Sequence, residues 1–139
     1  MNPITVSTVV QAPLETTWRA FTDPEHVKQW NFAHESWHCP EAHSNLRIGG
    51  SFSYRMAARD GSAAFDLTGA YTALEPHRGF AYTLGDVRKV RVDFEPLSNG
   101  QTRVTETFDP EDVNPEELQR DGWQAILDNF KKHAEATAH

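Results

Sequence analysis

Residues 30–45, WNFAHESWHCPEAHSN, hold three of the chain's seven histidines, two of its four tryptophans and its only cysteine. Imidazole, thiolate and carboxylate are zinc ligands, and a cysteine beside a histidine is a nucleophile pair. The spacing His34-x3-His38-Cys39-x3-His43 matches no recognised zinc pattern. Its i, i+4 histidines would share a face only on a helix, and Pro40 opposes one. No metal or other cofactor is expected, and a histidine-rich surface loop accounts for the stretch. Cys39 reads equally well as a small buried hydrophobe. Trp30, Phe32 and Trp37 offer a different chemistry, namely large rigid apolar area with polar tips that could gate a pocket or cover the core.

Glu106 is the second candidate. In TRVTETF it alternates onto the face of Val104 and Phe108. A carboxylate there must be paired, hydrogen-bonded or protonated, because an isolated buried charge is costly. Arg88 falls on the face of Val90 and Val92 and is a partner only if the strand ends stay close. Such a carboxyl is a polar anchor, or a general acid or base of raised pKa; the bland alternative is a bend that lets it reach solvent. Tyr54, Tyr71 and Tyr82 share the apolar faces and could donate hydroxyls.

The elements that position these residues read clearly in most of the chain. ITVSTVV, residues 4–10, is a β-branched strand. Pro13 opens a short helix over LETTWRAF, and Asp23 caps a second through HVKQW. Residues 31–48 have neither period and read as a long ordered loop with room for one short strand. From Gly49 the period is 2: SFSYRMA, FDLTGAYTA, FAYTL, RKVRVDF and TRVTETF are separated by RDGS, LEPH, GDV and SNG. Joining them so that the apolar sets share a face pairs Tyr54 with Leu67, Tyr82 with Val90 across Gly85-Asp86-Val87, Val92 with Glu106, and Phe94 with Val104. Gly100 supplies the left-handed residue of the last turn. Asn114 is expected to cap a helix to about Ala136, with Leu118, Gly122, Trp123, Ile126, Leu127, Phe130 and Ala134 as its apolar stripe. A helix of ~22 residues spans ~33 Å and can lie along the whole sheet. Gly122 inside it would be justified by close approach to the sheet or by room for a ligand.

The fold class is therefore α+β: one strand, two short helices, a five-strand meander and a long helix, in a single domain over residues 1–139. A bent antiparallel sheet wrapped on that helix satisfies this order, and a pocket can remain between them. The totals agree. The chain has 139 residues, 38% hydrophobic and 11% aromatic, which suits one globular domain. A net charge of −7, with scattered positive residues, argues against nucleic acid. No apolar run reaches membrane-span length, no leader pattern opens the chain, and a lone cysteine fits the cytoplasm.

APLETTWRAFTDPEHVKQW, LRIGGSFSYRM, the DG turn before a long strand, TRVTETF and DGWQAILDNF resemble, in order, the START-like (SRPBCC, birch-pollen-allergen-like) superfamily. The closest branch is the one named for homologues of the activator of the heat-shock protein 90 ATPase. The resemblance implies a helix-grip fold with a cavity between the C-terminal helix and the sheet. In one departure, many members carry a second Trp and a Gly-Pro directly after the position of Trp30. Here Trp37 follows seven residues later, which implies a different loop wall. The expected ligand is small and apolar or amphipathic, held by Phe52, Tyr54, Leu67, Tyr71, Tyr82, Val92, Glu106, Trp123, Ile126 and Leu127, with Trp30 and Trp37 at the mouth. The alternatives are a polyketide-cyclase-like or hydrolase-type enzyme using Glu106 or a histidine, and a co-chaperone-like module with a chaperone partner. The last expects the additional domain that eukaryotic activators use. Members of the branch are often homodimers, and the sequence names no dimer surface.

Overall fold

The computed structural model describes residues 2–85 and 87–138. Asp86, in the middle of the expected Gly85-Asp86-Val87 turn, lies outside the described residues. Seven strands form one curled antiparallel sheet in the order β1-β7-β6-β5-β4-β3-β2. They are β1 (Ile4–Val10), β2 (Trp37–Ser44), β3 (Ser51–Ala58), β4 (Ala64–Glu75), β5 (Gly79–Leu84), β6 (Lys89–Pro96) and β7 (Thr102–Phe108). Among the described residues three α-helices accompany them: α1 (Leu14–Thr22), α2 (Pro24–Trp30) and α3 (Glu116–Ala138).

The expected pairings hold. Tyr54 faces Leu67, Tyr82 faces Val90, Val92 faces Glu106 and Phe94 faces Val104. β1 closes the row against β7, so that Val6 faces Glu106 and Ile4 faces Phe108. The last hairpin turns through two left-handed residues, Asn99 (φ 67°) and Gly100 (φ 75°).

Residues 31–48 carry the one strand for which there was room, the eight-residue edge strand β2 (Trp37–Ser44), with loop on either side. Its pairing with β3 shifts register between His38 and Glu41, where Pro40 has no N–H to give a ladder. That bulge breaks the alternation a strand would otherwise have shown. The cap of α3 differs from the expected one. Pro115, not Asn114, offers the carbonyl that Gln119 N–H donates to, at 3.2 Å. Asn114 instead donates its side-chain amide to Glu111 Oε1 at 2.7 Å. Asp23 does cap α2, accepting from Glu25 N–H at 2.9 Å.

α3 packs against β1 and α1, and more lightly against α2. Its stripe begins later than expected: Leu118 is 59% exposed, while Leu127, Phe130 and Ala134 are buried. Aromatic rings knit the helices to the sheet. Phe21 meets Phe130 at 4.9 Å and Phe94 at 5.5 Å, and Trp30 meets Phe130 at 5.1 Å. These rings fill one end of the concave face. The other end is left open.

Candidate functional site: a cavity between the C-terminal helix and the sheet

The open end is a cavity of about 250 Å³. Its floor is built from inward positions of β3, β4 and β5, where alternation places Phe52, Tyr54, Met56, Phe65, Leu67, Tyr71, Phe80, Tyr82 and Leu84. Phe21, Thr22, Trp30 and Asn31 enter from α1 and α2, and Trp123 and Ile126 from α3. Arg88 and Glu106 complete the wall.

Most of this surface is aromatic and mutually braced. Phe52 lies 4.8 Å from Tyr54 and 4.9 Å from Tyr82, ring centre to ring centre. Its ring covers Gly69, where an added Cβ would come within 2.5 Å of it. Trp123 stacks on Phe108 at 3.9 Å, with planes 9° apart. Trp30 is fixed by donating its indole N–H to the Ala20 carbonyl at 2.8 Å. Asn129 of α3 donates to the Phe32 carbonyl at 2.6 Å and ties the segment after α2 to the long helix.

The polar groups are few. Tyr71 and Ser44 hydroxyls lie 2.7 Å apart. Burial raises all three phenols above their ordinary range; Tyr54 is raised further by Tyr71 and Tyr82, and Tyr82 by Glu106. Glu106 is different. It is 7% exposed, and its cross-strand neighbours are Val6 and Val92. Its carboxyl has no hydrogen bond or ion pair to any described residue. Yet no buried side-chain oxygen among the described residues is sealed off without a partner. The carboxyl therefore opens into the cavity. Desolvation pushes its pKa up to about 8, so it is mostly a neutral acid at pH 7.

The residues singled out from sequence divide cleanly. Trp30, Phe52, Tyr54, Leu67, Tyr71, Tyr82, Glu106, Trp123 and Ile126 meet at this cavity. Trp37, Val92 and Leu127 do not line it. Val92 is fully buried between Glu106 and Phe80, and Leu127 is 1% exposed within the core. Trp37 starts β2 and touches the wall only indirectly, with its ring 6.1 Å from that of Phe65. Phe21, Thr22, Asn31, Met56, Phe65, Phe80, Leu84 and Arg88 complete the lining. Of these, Met56, Phe65, Phe80 and Leu84 carried the right alternation. The helix residues gave no periodic signal, because their place depends on how α1 and α2 fold back.

The histidine and cysteine stretch does not converge. Among the described residues, no three of His, Cys, Asp and Glu are grouped to hold a metal ion. His34 is held by Ser36, Nδ1 to Oγ at 2.9 Å. Cys39 is 2% exposed, and burial pushes its thiol up to about 11, far from a ready nucleophile. Gly122 is not explained by close approach to the sheet, because a Cβ there would meet nothing within 4 Å, and it does not line the cavity.

Comparison with known proteins agrees with this architecture. Residues 11–135 match the family model described as Activator of Hsp90 ATPase homolog 1-like protein. No curated protein matches. The AHSA1-like protein from Aeromonas hydrophila is 39% identical, with 96% of this chain and 94% of that one covered at a TM-score of 0.88. A protein from Cytophaga hutchinsonii is 43% identical, covering 99% and 94% at a TM-score of 0.83. A protein from Chromobacterium violaceum is 25% identical, covering 97% and 99% at 0.83. With an aromatic cavity clasped between its last helix and a curled sheet, the chain belongs to the family of Activator of Hsp90 ATPase homolog 1-like proteins.

Proposed function

We propose that the protein binds a small apolar or amphipathic organic molecule in this cavity, acting in the cytoplasm that a lone cysteine fits. The supporting observation is the cavity itself: about 250 Å³ walled by aromatic and aliphatic side chains, with few polar groups. A space of this size lined by rings gains from apolar contact whatever the ligand's identity. Native mass spectrometry of freshly purified protein, set against its denatured mass, is the test. An organic adduct present only in the native spectrum is the expected result. A bare native mass, together with no binding of simple aromatic probes, would sink the reading.

A second reading has one observation in its favour. Glu106 exchanges its proton near neutral pH inside an apolar cavity, as a general acid or base must. On an enzyme reading of the cyclase or hydrolase kind, Glu106→Gln keeps ligand affinity and abolishes turnover. The family's name suggests a co-chaperone role, and stimulation of an Hsp90 ATPase by the purified chain would carry it.

A further inference from the structure

Building on the ligand-binding reading above, we infer that the cavity selects an uncharged organic molecule bearing one hydrogen-bond acceptor, such as a ketone or ester carbonyl, presented to the Glu106 carboxyl as donor. Glu106 sits in a lateral row across the sheet that reads Val6, Glu106, Val92, Phe80, Leu74. It is the one polar member, more than nine-tenths buried, and no described residue satisfies it. A polar group so placed needs a partner from inside the cavity. As a neutral acid it can donate one O–H, which suits a carbonyl oxygen. An anionic ligand would face a carboxyl in an apolar wall. It would also find Arg88 no free cation, since that side chain already has an interaction. A cationic ligand would have to displace the Glu106 proton and enter beside the Arg88 charge.

The titratable groups facing Glu106 sharpen the expectation. β1 and β6 present Val6 and Val92, and α3 presents Trp123 and Ile126, none of which titrates. β3, β4 and β5 present Tyr54, Tyr71 and Tyr82, all raised and therefore neutral through mild alkali. Arg88 lines the same wall. Among the described residues of the wall, Glu106 alone changes charge between neutral and mildly alkaline pH.

Three isosteric probes test this: acetophenone, cumene and benzoate, followed by NMR shifts of the Trp30 and Trp123 indole N–H signals. At about pH 6 the acetophenone-to-cumene affinity ratio in the native protein should exceed that of Glu106→Leu about fivefold, the worth of one net hydrogen bond. At about pH 9.5 the ratio in the native protein should fall by the same factor. Glu106→Gln, which keeps a neutral donor, should hold its ratio at both values. The alkaline arm needs no variant, so a misfolded substitution cannot decide the matter. A ratio indifferent to pH and to Glu106→Leu overturns the inference while the apolar cavity stands. Preference for benzoate, or for benzylammonium as a cationic probe, overturns it in favour of a charged ligand. No shift with any probe overturns both this and the binding reading.

Discussion

Glu106 has a consequence for stability that can be read without any ligand. An unfolded glutamate ionises near 4.5, while the folded one holds its proton to about 8. Between those values the native state carries the extra proton, so stability falls as pH rises through the window and levels off above it. Glu106→Gln removes that slope. The variant should gain on the native protein steadily from pH 4.5 to 8, reaching on the order of a few kcal/mol. Urea unfolding at a series of pH values checks it; parallel curves for the two proteins would place the carboxyl in water instead. Sequence parity was enough to put Glu106 on the inner face, because a period of 2 leaves no choice once its neighbours are apolar. It could not show that Arg88 would line the same wall without pairing to Glu106, since that depends on the path of a turn.

At the scale of elements, two glycines with opposite surroundings make opposite predictions. Gly122 is in the interior of α3, and the space around its missing Cβ is open. Gly122→Ala should stabilise the protein by roughly 0.5–1 kcal/mol, through helix propensity alone. A loss in thermal unfolding would mean that a neighbour closes on that site in solution. Gly69 lies opposite Phe52 in the β3–β4 ladder. A Cβ there would come within 2.6 Å of two ring atoms of Phe52, itself wedged against Tyr54, Tyr71 and Tyr82. Gly69→Ala should cost roughly 1–3 kcal/mol and reshape the cavity floor, seen as a lowered melting temperature with altered aromatic NMR shifts. The five strands of the meander were legible because alternation and turn residues agreed. β2 was legible only as room for one short strand, because Pro40 and the register shift after His38 scramble its burial pattern.

In the whole molecule, the cavity exists because the apolar stripe of α3 is short relative to the sheet it crosses. Leu118 faces solvent, and close packing is concentrated where Phe130 meets Phe21 and Trp30. Sequence reasoning placed helix over sheet and foresaw a pocket. It misjudged Trp37, Val92 and Leu127, for which the distinction between filling the core and facing the void rests on one helical or strand position. The strand order also sets the timing of folding. β2 to β7 are joined by neighbour pairings within the meander, whereas β1 can pair only with β7, so that Ile4 must wait for Phe108. On a ribosome the first strand emerges with no partner until nearly the whole sheet has been made. Closing so long a loop costs entropy before any contact rewards it. Substitutions such as Val6→Ala should therefore speed unfolding and leave the refolding rate nearly unchanged, while Phe52→Leu slows refolding. The strand of the sheet made earliest would be among the last to settle, and until then β7 presents a bare edge that another nascent chain could borrow.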